Sequence, residues 1–151
     1  MPIWTNRPYC NYPDCAKIGY NIVVTKLCIE VLSMRIVYIE DNFPNQSLVQ
    51  RIVASANHEV ITYPTAEDAL FNFESLKPDM VLVDVELAGP MTGLDFVRKI
   101  RSAGHQLPVV AITAVSAKQE CLDAGCDAYF VKPVPVREFF EYVQQHAEKL
   151  A

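Results

Sequence analysis

The sequence predicts an α/β fold, a doubly wound five-stranded parallel sheet with helices on both faces. Two observations carry that expectation. From Met34 onward, short β-branched runs alternate with amphipathic stretches of helical period, five of each. The runs are also almost unbroken in apolar character, as strands covered on both faces are. Alternation of this kind implies parallel strands joined by right-handed crossovers.

Taken in order, "RIVYI" (35–39) reads as the first strand. "PNQSLVQRIVASA" (44–56) reads as a helix with Leu48, Ile52 and Val53 at helical spacing. "EVITY" is the second strand, and "TAEDALFNFESL" a helix opened by Thr65 as N-cap. "MVLVD" is the third. "LDFVRKIRSAG" follows as a helix with Leu94, Val97 and Ile100 on one face, basic residues in its last turns and Gly104 as its stop. "PVVAIT" is the fourth strand, "SAKQECLDAG" a short helix closed by Gly125, "AYFV" the fifth strand, and "VREFFEYVQQHAEKL" the last helix. No internal repeat or low-complexity segment interrupts the series.

Composition narrows the function classes. A chain of 151 residues, 51% hydrophobic and 21% charged, is long enough for one domain with a sizeable core. Its net charge is -5; residues 1–33 contribute +1 and the remainder -6. That acidity argues against a nucleic-acid partner, which calls for a basic face toward phosphates. The cysteines, Cys10, Cys15, Cys28, Cys121 and Cys126, are odd in number and suit a reducing compartment. Cys10 and Cys15 supply only two of the four ligands a structural zinc site needs. No apolar run approaches the roughly 20 residues of a spanning helix. The most apolar N-terminal piece, "IGYNIVVTKLCIEVLS", is broken by Asn21, Lys26 and Glu30, so no signal peptide, no membrane partner and a cytoplasmic location are expected.

Function is written at the strand ends. The first strand delivers Glu40 and Asp41, the third Asp84, the fourth Thr113, and the fifth Lys132 followed by Pro133. In an open parallel sheet these carboxyl ends share one edge, where ligands bind. Three carboxylates against one ammonium leave the cluster near -2, and a divalent cation would relieve the repulsion. Oxygen-only donors with open positions favour Mg2+, which often helps hold a phosphate. Asp84, which closes the apolar run of "DMVLVDVELAGP", could then act as nucleophile toward a phosphoryl group, with metal and Lys132 neutralising its oxygens and Thr113 hydrogen-bonding one of them.

The motifs "IEDN", "LVDV", "AITA" and "YFVKPV", in this order and at these strand ends, give residues 34–151 a close resemblance to the receiver domain of two-component response regulators, the CheY-like type that stands alone. The resemblance implies a flavodoxin-like sheet of order 2-1-3-4-5. It implies Asp84 as phosphoacceptor and metal ligand, Asp41 as direct metal ligand, Glu40 acting largely through metal-bound water, and the backbone carbonyl of Glu86 completing the shell around Mg2+. Thr113 and Lys132 match the phosphate-contacting pair, Lys132-Pro133 a bond that is usually cis, and Tyr129 the aromatic that changes rotamer as Thr113 moves. The implied function is a phosphorylation-dependent switch of a phosphorelay. It would be supplied by a histidine kinase or histidine phosphotransfer protein, would catalyse only its own phosphorylation and dephosphorylation, and would signal through contacts with a downstream effector protein.

Two departures from the family pattern stand out. The loop "VELAGPMTG" carries Ala88 and Thr92 where Pro and Gly are usual, with Pro90 and Gly93 displaced, so it is one residue longer. The stretch between Thr113 and Lys132 is about three residues short, nearly one helical turn. Two other functions share parts of this chemistry. A phosphatase of the haloacid dehalogenase type also uses a nucleophilic Asp with magnesium, but seeks Asp-x-Asp after its first strand. A flavin binder of flavodoxin type needs phosphate donors where "EDNFPN" offers two acids. Since no output domain follows the last helix, the chain is expected to be a stand-alone switch or a piece of a hybrid kinase. Residues 1–33 have weak periodicity. They read either as an extension dispensable for folding, from a start codon assigned too early, or as a docking helix built on Ile22 to Leu32.

Overall fold

β1 (Arg35–Ile39), β2 (Glu59–Tyr63), β3 (Met80–Val83), β4 (Val109–Thr113) and β5 (Ala128–Val131) form one sheet in the computed structural model, which describes residues 33–150. The strands are parallel and ordered β2-β1-β3-β4-β5. This is the expected doubly wound sheet, including the order that the resemblance implies. The helices are α1 (Phe43–Ser55), α2 (Ala66–Leu76), α3 (Gly93–Ser102), α4 (Lys118–Ala124) and α5 (Val136–Leu150). Residues 1–32 of the proposed N-terminal segment, with Cys10, Cys15 and Cys28, lie outside the described residues.

Side-chain alternation along each strand feeds two cores. Val37, Ile39, Val81 and Val83 join Ala69, Phe73, Phe96 and Val97 beneath α2 and α3. Ile36, Tyr38, Met80 and Leu82 join Val49, Ile52, Phe139 and Val143 beneath α1 and α5. β3 and β4 are buried throughout, whereas the edge strands β2 and β5 are half-buried because one flank of each lacks a neighbour. Cys121 and Cys126 are free and packed in the first core. Burial pushes the Cys126 thiol up to about 12, so it behaves as an inert small hydrophobe.

Local signals set the helix ends. Asn42 caps α1 by accepting the N–H of Asn45, with Pro44 in the first turn, and Thr65 caps α2 as expected. Thr92 and Asp95 form a reciprocal capping box on α3. Gly104 and Gly125 take positive φ, +93° and +109°, just past α3 and α4. One detail differs from expectation: Leu48 is 39% exposed, and the buried stripe of α1 is Val49, Ile52, Val53. That stripe continues to Ala56, so it follows i, i+3, i+4, i+7 spacing and leaves Leu48 at its rim. α4 has only seven residues and no side-chain cap, the structural counterpart of the shortened stretch before Lys132.

Candidate functional site

Strand pairing carries the polar residues of the sheet's carboxyl edge to one place. Beyond the last ladder residues, Asp84 N–H donates to Ile39 O at 2.9 Å, Glu40 N–H to Tyr63 O at 3.0 Å, and Lys132 N–H to Thr113 O at 2.9 Å. The backbones bearing Glu40, Asp84, Thr113 and Lys132 are therefore fixed by the sheet, not by flexible loops. Carboxylate oxygens of Glu40, Asp41 and Asp84 come within 4.8 Å of one another. Glu40 is wholly buried, Asp84 is 5% exposed, and Asp41 faces solvent.

Lys132 compensates the buried pair. Its Nζ donates to Oε2 of Glu40 and to Oδ2 of Asp84, each at 2.5 Å. Burial on its own would lower the Lys132 pKa, but the hydrogen bonds and charges of Asp84 and Glu40 outweigh it and hold the ammonium above its ordinary value. Other oxygens of the cluster also find donors. Glu86 N–H reaches Asp84 Oδ1 at 3.1 Å, Asn42 N–H reaches Glu40 Oε1 at 3.1 Å, and Ala88 N–H reaches Asp41 Oδ2 at 2.9 Å. Three carboxylates thus face one ammonium, leaving a cluster of -2 whose donor atoms are all oxygen, a set that fits Mg2+.

Thr113 is fully buried at the end of β4, and its Oγ1 accepts the Val115 N–H at 3.3 Å. Tyr129, half-buried on β5, donates its hydroxyl to Val115 O at 2.7 Å and accepts the Ala117 N–H at 3.4 Å. Val115 therefore links Thr113 to Tyr129. The Lys132-Pro133 bond is cis. Glu86 lies beside Asp84 through its N–H, so all the residues singled out from the sequence lie at or next to this edge.

One participant escapes the sequence reading. Tyr38 looks like an ordinary strand residue, yet its hydroxyl donates to Glu40 Oε2 at 2.9 Å. Burial, then the adjoining Glu40 charge, pushes its phenol far above the ordinary value, so it serves as a donor. The available signal was its position two before Glu40, hence on the same strand face. Gly93 opens α3 directly over the backbone of Asp84: a Cβ there would lie 1.8 Å from Asp84 O. The longer loop is anchored as well, since Met91 N–H donates to Glu67 on α2 at 2.9 Å.

Comparison with known proteins agrees with this geometry. The chain is 33% identical over 108 residues to the two-component response regulator PhoP of Pseudomonas aeruginosa, covering 70% of this chain but 48% of that protein, about half its length. It is 27% identical over 116 residues to the polar-differentiation response regulator DivK of Brucella anthropi, covering 74% of this chain and 94% of DivK. Among solved structures, a CheY-like receiver domain protein from Methanospirillum hungatei superposes with a TM-score of 0.71 at 23% identity, over 78% of this chain and 95% of that one. The receiver domain of a sensor histidine kinase from Pseudomonas aeruginosa, solved with a magnesium ion in its active-site cleft, gives 0.69 at 26% identity, over 77% and 98%. Residues 36–144 match the family model for the response regulator receiver domain, and with the sheet order and strand-end cluster already in place, the chain belongs to that family.

Proposed function

We propose that Asp84 accepts a phosphoryl group from a histidine kinase or histidine phosphotransfer protein, with Mg2+ held by Glu40, Asp41, Asp84 and the backbone carbonyl of Glu86. One observation carries the reading: Lys132 is clamped between Glu40 and a nearly buried Asp84, while the third carboxylate, Asp41, stands on the solvent side of the same cluster. The magnesium in the active-site cleft of the related histidine-kinase receiver supports the choice of metal. When bound, the ion supplies positive charge to the transferring oxygens.

The chain's own residues do the rest. An oxygen of Asp84 attacks phosphorus, the P–N bond of the donor phosphohistidine breaks, the imidazole leaves, and an acyl phosphate forms on Asp84. Lys132, already on Asp84, follows the charge onto the phosphoryl oxygens. The Thr113 hydroxyl donates to another of them. With the phosphate dianion, Glu40, Asp41 and Lys132 sum to about -3, which a divalent ion brings near -1. Output then passes through protein contacts of the domain, which we take to span residues 34–151 in a cytoplasmic setting, to an effector protein.

Incubation with acetyl phosphate and magnesium, followed by intact-mass analysis and peptide mapping, tests the reading. One base-labile phosphoryl group on Asp84 is expected, and none in Asp84→Asn, whose amide is no nucleophile. Label on Ser47 or another hydroxyl would overturn it.

A further inference from the structure

We propose that Tyr38 is a positioning residue for the metal and phosphoryl site, acting through Glu40; this rests on the function proposed for Asp84. Residues two apart on a strand share a face, so Tyr38 in β1 lies directly below Glu40. The ring is wholly buried in the core beneath α1 and α5, which fixes where its hydroxyl ends. That hydroxyl donates to Glu40 Oε2 at 2.9 Å, the same oxygen that Lys132 contacts.

Two consequences follow from this shared acceptor. Oε2 is committed to Tyr38 and Lys132, so the other oxygen, Oε1, is the one free to turn toward a metal or its water, held only by the Asn42 N–H at 3.1 Å. Lys132 also serves two carboxylates at once. When it moves toward a phosphoryl group on Asp84, Glu40 Oε2 loses a donor, and Tyr38 is the donor that stays on that buried oxygen. A buried carboxylate stripped of its partners is costly, so Tyr38 lets Lys132 leave without Glu40 turning or pulling it back. Outer partners of this kind orient ligands and are commonly worth about 10- to 100-fold in metal affinity.

The test compares the unsubstituted chain with Tyr38→Phe, Glu40→Gln and the double variant. Magnesium titration is followed by the amide resonances of residues 84–88, and the Lys132 side-chain resonance is recorded without metal. Tyr38→Phe keeps the ring and its packing, so melting temperature checks that the core is intact. We expect magnesium binding about tenfold weaker in Tyr38→Phe, a shifted Lys132 resonance, and a further loss of less than about twofold when the same change is made on Glu40→Gln. Unaltered affinity in Tyr38→Phe overturns the proposal. So does an equal loss in both backgrounds, which would mark Tyr38 as packing alone. Absence of any magnesium response in the unsubstituted chain would instead remove the metal site on which the inference rests.

Discussion

Asp84 ends an apolar strand as a nearly buried carboxylate, and its tolerability comes from Lys132 on one oxygen and the Glu86 N–H on the other. The neighbouring Gly93 is as constrained as the charges are. A methyl group 1.8 Å from Asp84 O cannot be accommodated by a side-chain adjustment, because the obstacle is backbone. Gly93→Ala should therefore cost about 3 kcal/mol or more and move the Asp84 carbonyl, read as a lowered urea midpoint together with slowed phosphate uptake. A variant as stable as the parent would mean that α3 shifts freely on β3. His58 offers a second residue-scale test, far from the site. It is buried, its Nδ1 accepts the Met34 N–H at 3.3 Å, and its Nε2 has no partner among the described residues. Burial lowers its pKa from the ordinary 6.5. The folded chain thus binds the proton less readily than the unfolded chain, so the stability is complete above about pH 6.5 and is lost as pH falls below it. His58→Asn, which keeps an acceptor for Met34, should lose less stability than the parent between pH 7.5 and pH 5.5 in paired denaturation curves. Equal losses would exonerate His58.

At the scale of elements, the two departures from the family pattern fall in the two segments that border the site. The loop from Asp84 to Thr92 absorbs its extra residue with Gly89 at φ +123° and is pinned to α2 through Glu67, so it is long but held. The connection from β4 to α4 is short, and the helix after it has under two turns. What this segment retains is the pair of hydrogen bonds at Val115, N–H to Thr113 and C=O to Tyr129. If the Thr113 hydroxyl turns toward a phosphoryl group, it ceases to accept from Val115, and the Tyr129 ring registers the change. Thr113→Ala should still take up phosphate on Asp84, because nucleophile and Lys132 are intact. It should lose more than half of the phosphate-induced shift of the Tyr129 ring signal in carbon-13 spectra. A shift of parental size would send the signal elsewhere, and the loop pinned by Glu67 becomes the better carrier.

At the scale of the molecule, what was legible in the sequence depended on which signals are local. Alternating apolar runs, the Thr65 cap and the glycine stops are local, and the elements they specify are where they were expected. Glu40, Asp41, Asp84, Thr113 and Lys132 were legible because a parallel sheet brings every strand's carboxyl end to one edge. Tyr38 was not, since it needed the direction of a buried hydroxyl; Gly93 was legible only as a displaced family glycine, and the clearance between α3 and β3 that requires it is not encoded by spacing. Leu48 was misplaced because one residue of helical phase separates a buried stripe from its rim. The convergence of charge also makes a prediction for the whole chain. Glu40, Asp41 and Asp84 are crowded only in the folded state, so an ion that binds them binds the native chain in preference to the unfolded one. For a dissociation constant of about 1 mM, 10 mM magnesium should stabilise the fold by about 1.4 kcal/mol. In a domain of this size that corresponds to a rise of roughly 5 °C in melting temperature. Sodium chloride at matched ionic strength controls for screening and should give much less. Asp41→Asn should abolish most of the difference, since it removes the solvent-facing carboxylate while leaving the Lys132 contacts with Glu40 and Asp84 in place. A magnesium effect of equal size in that variant would place the ion away from this edge, and the carboxylate cluster would then be a structural network closed by Lys132.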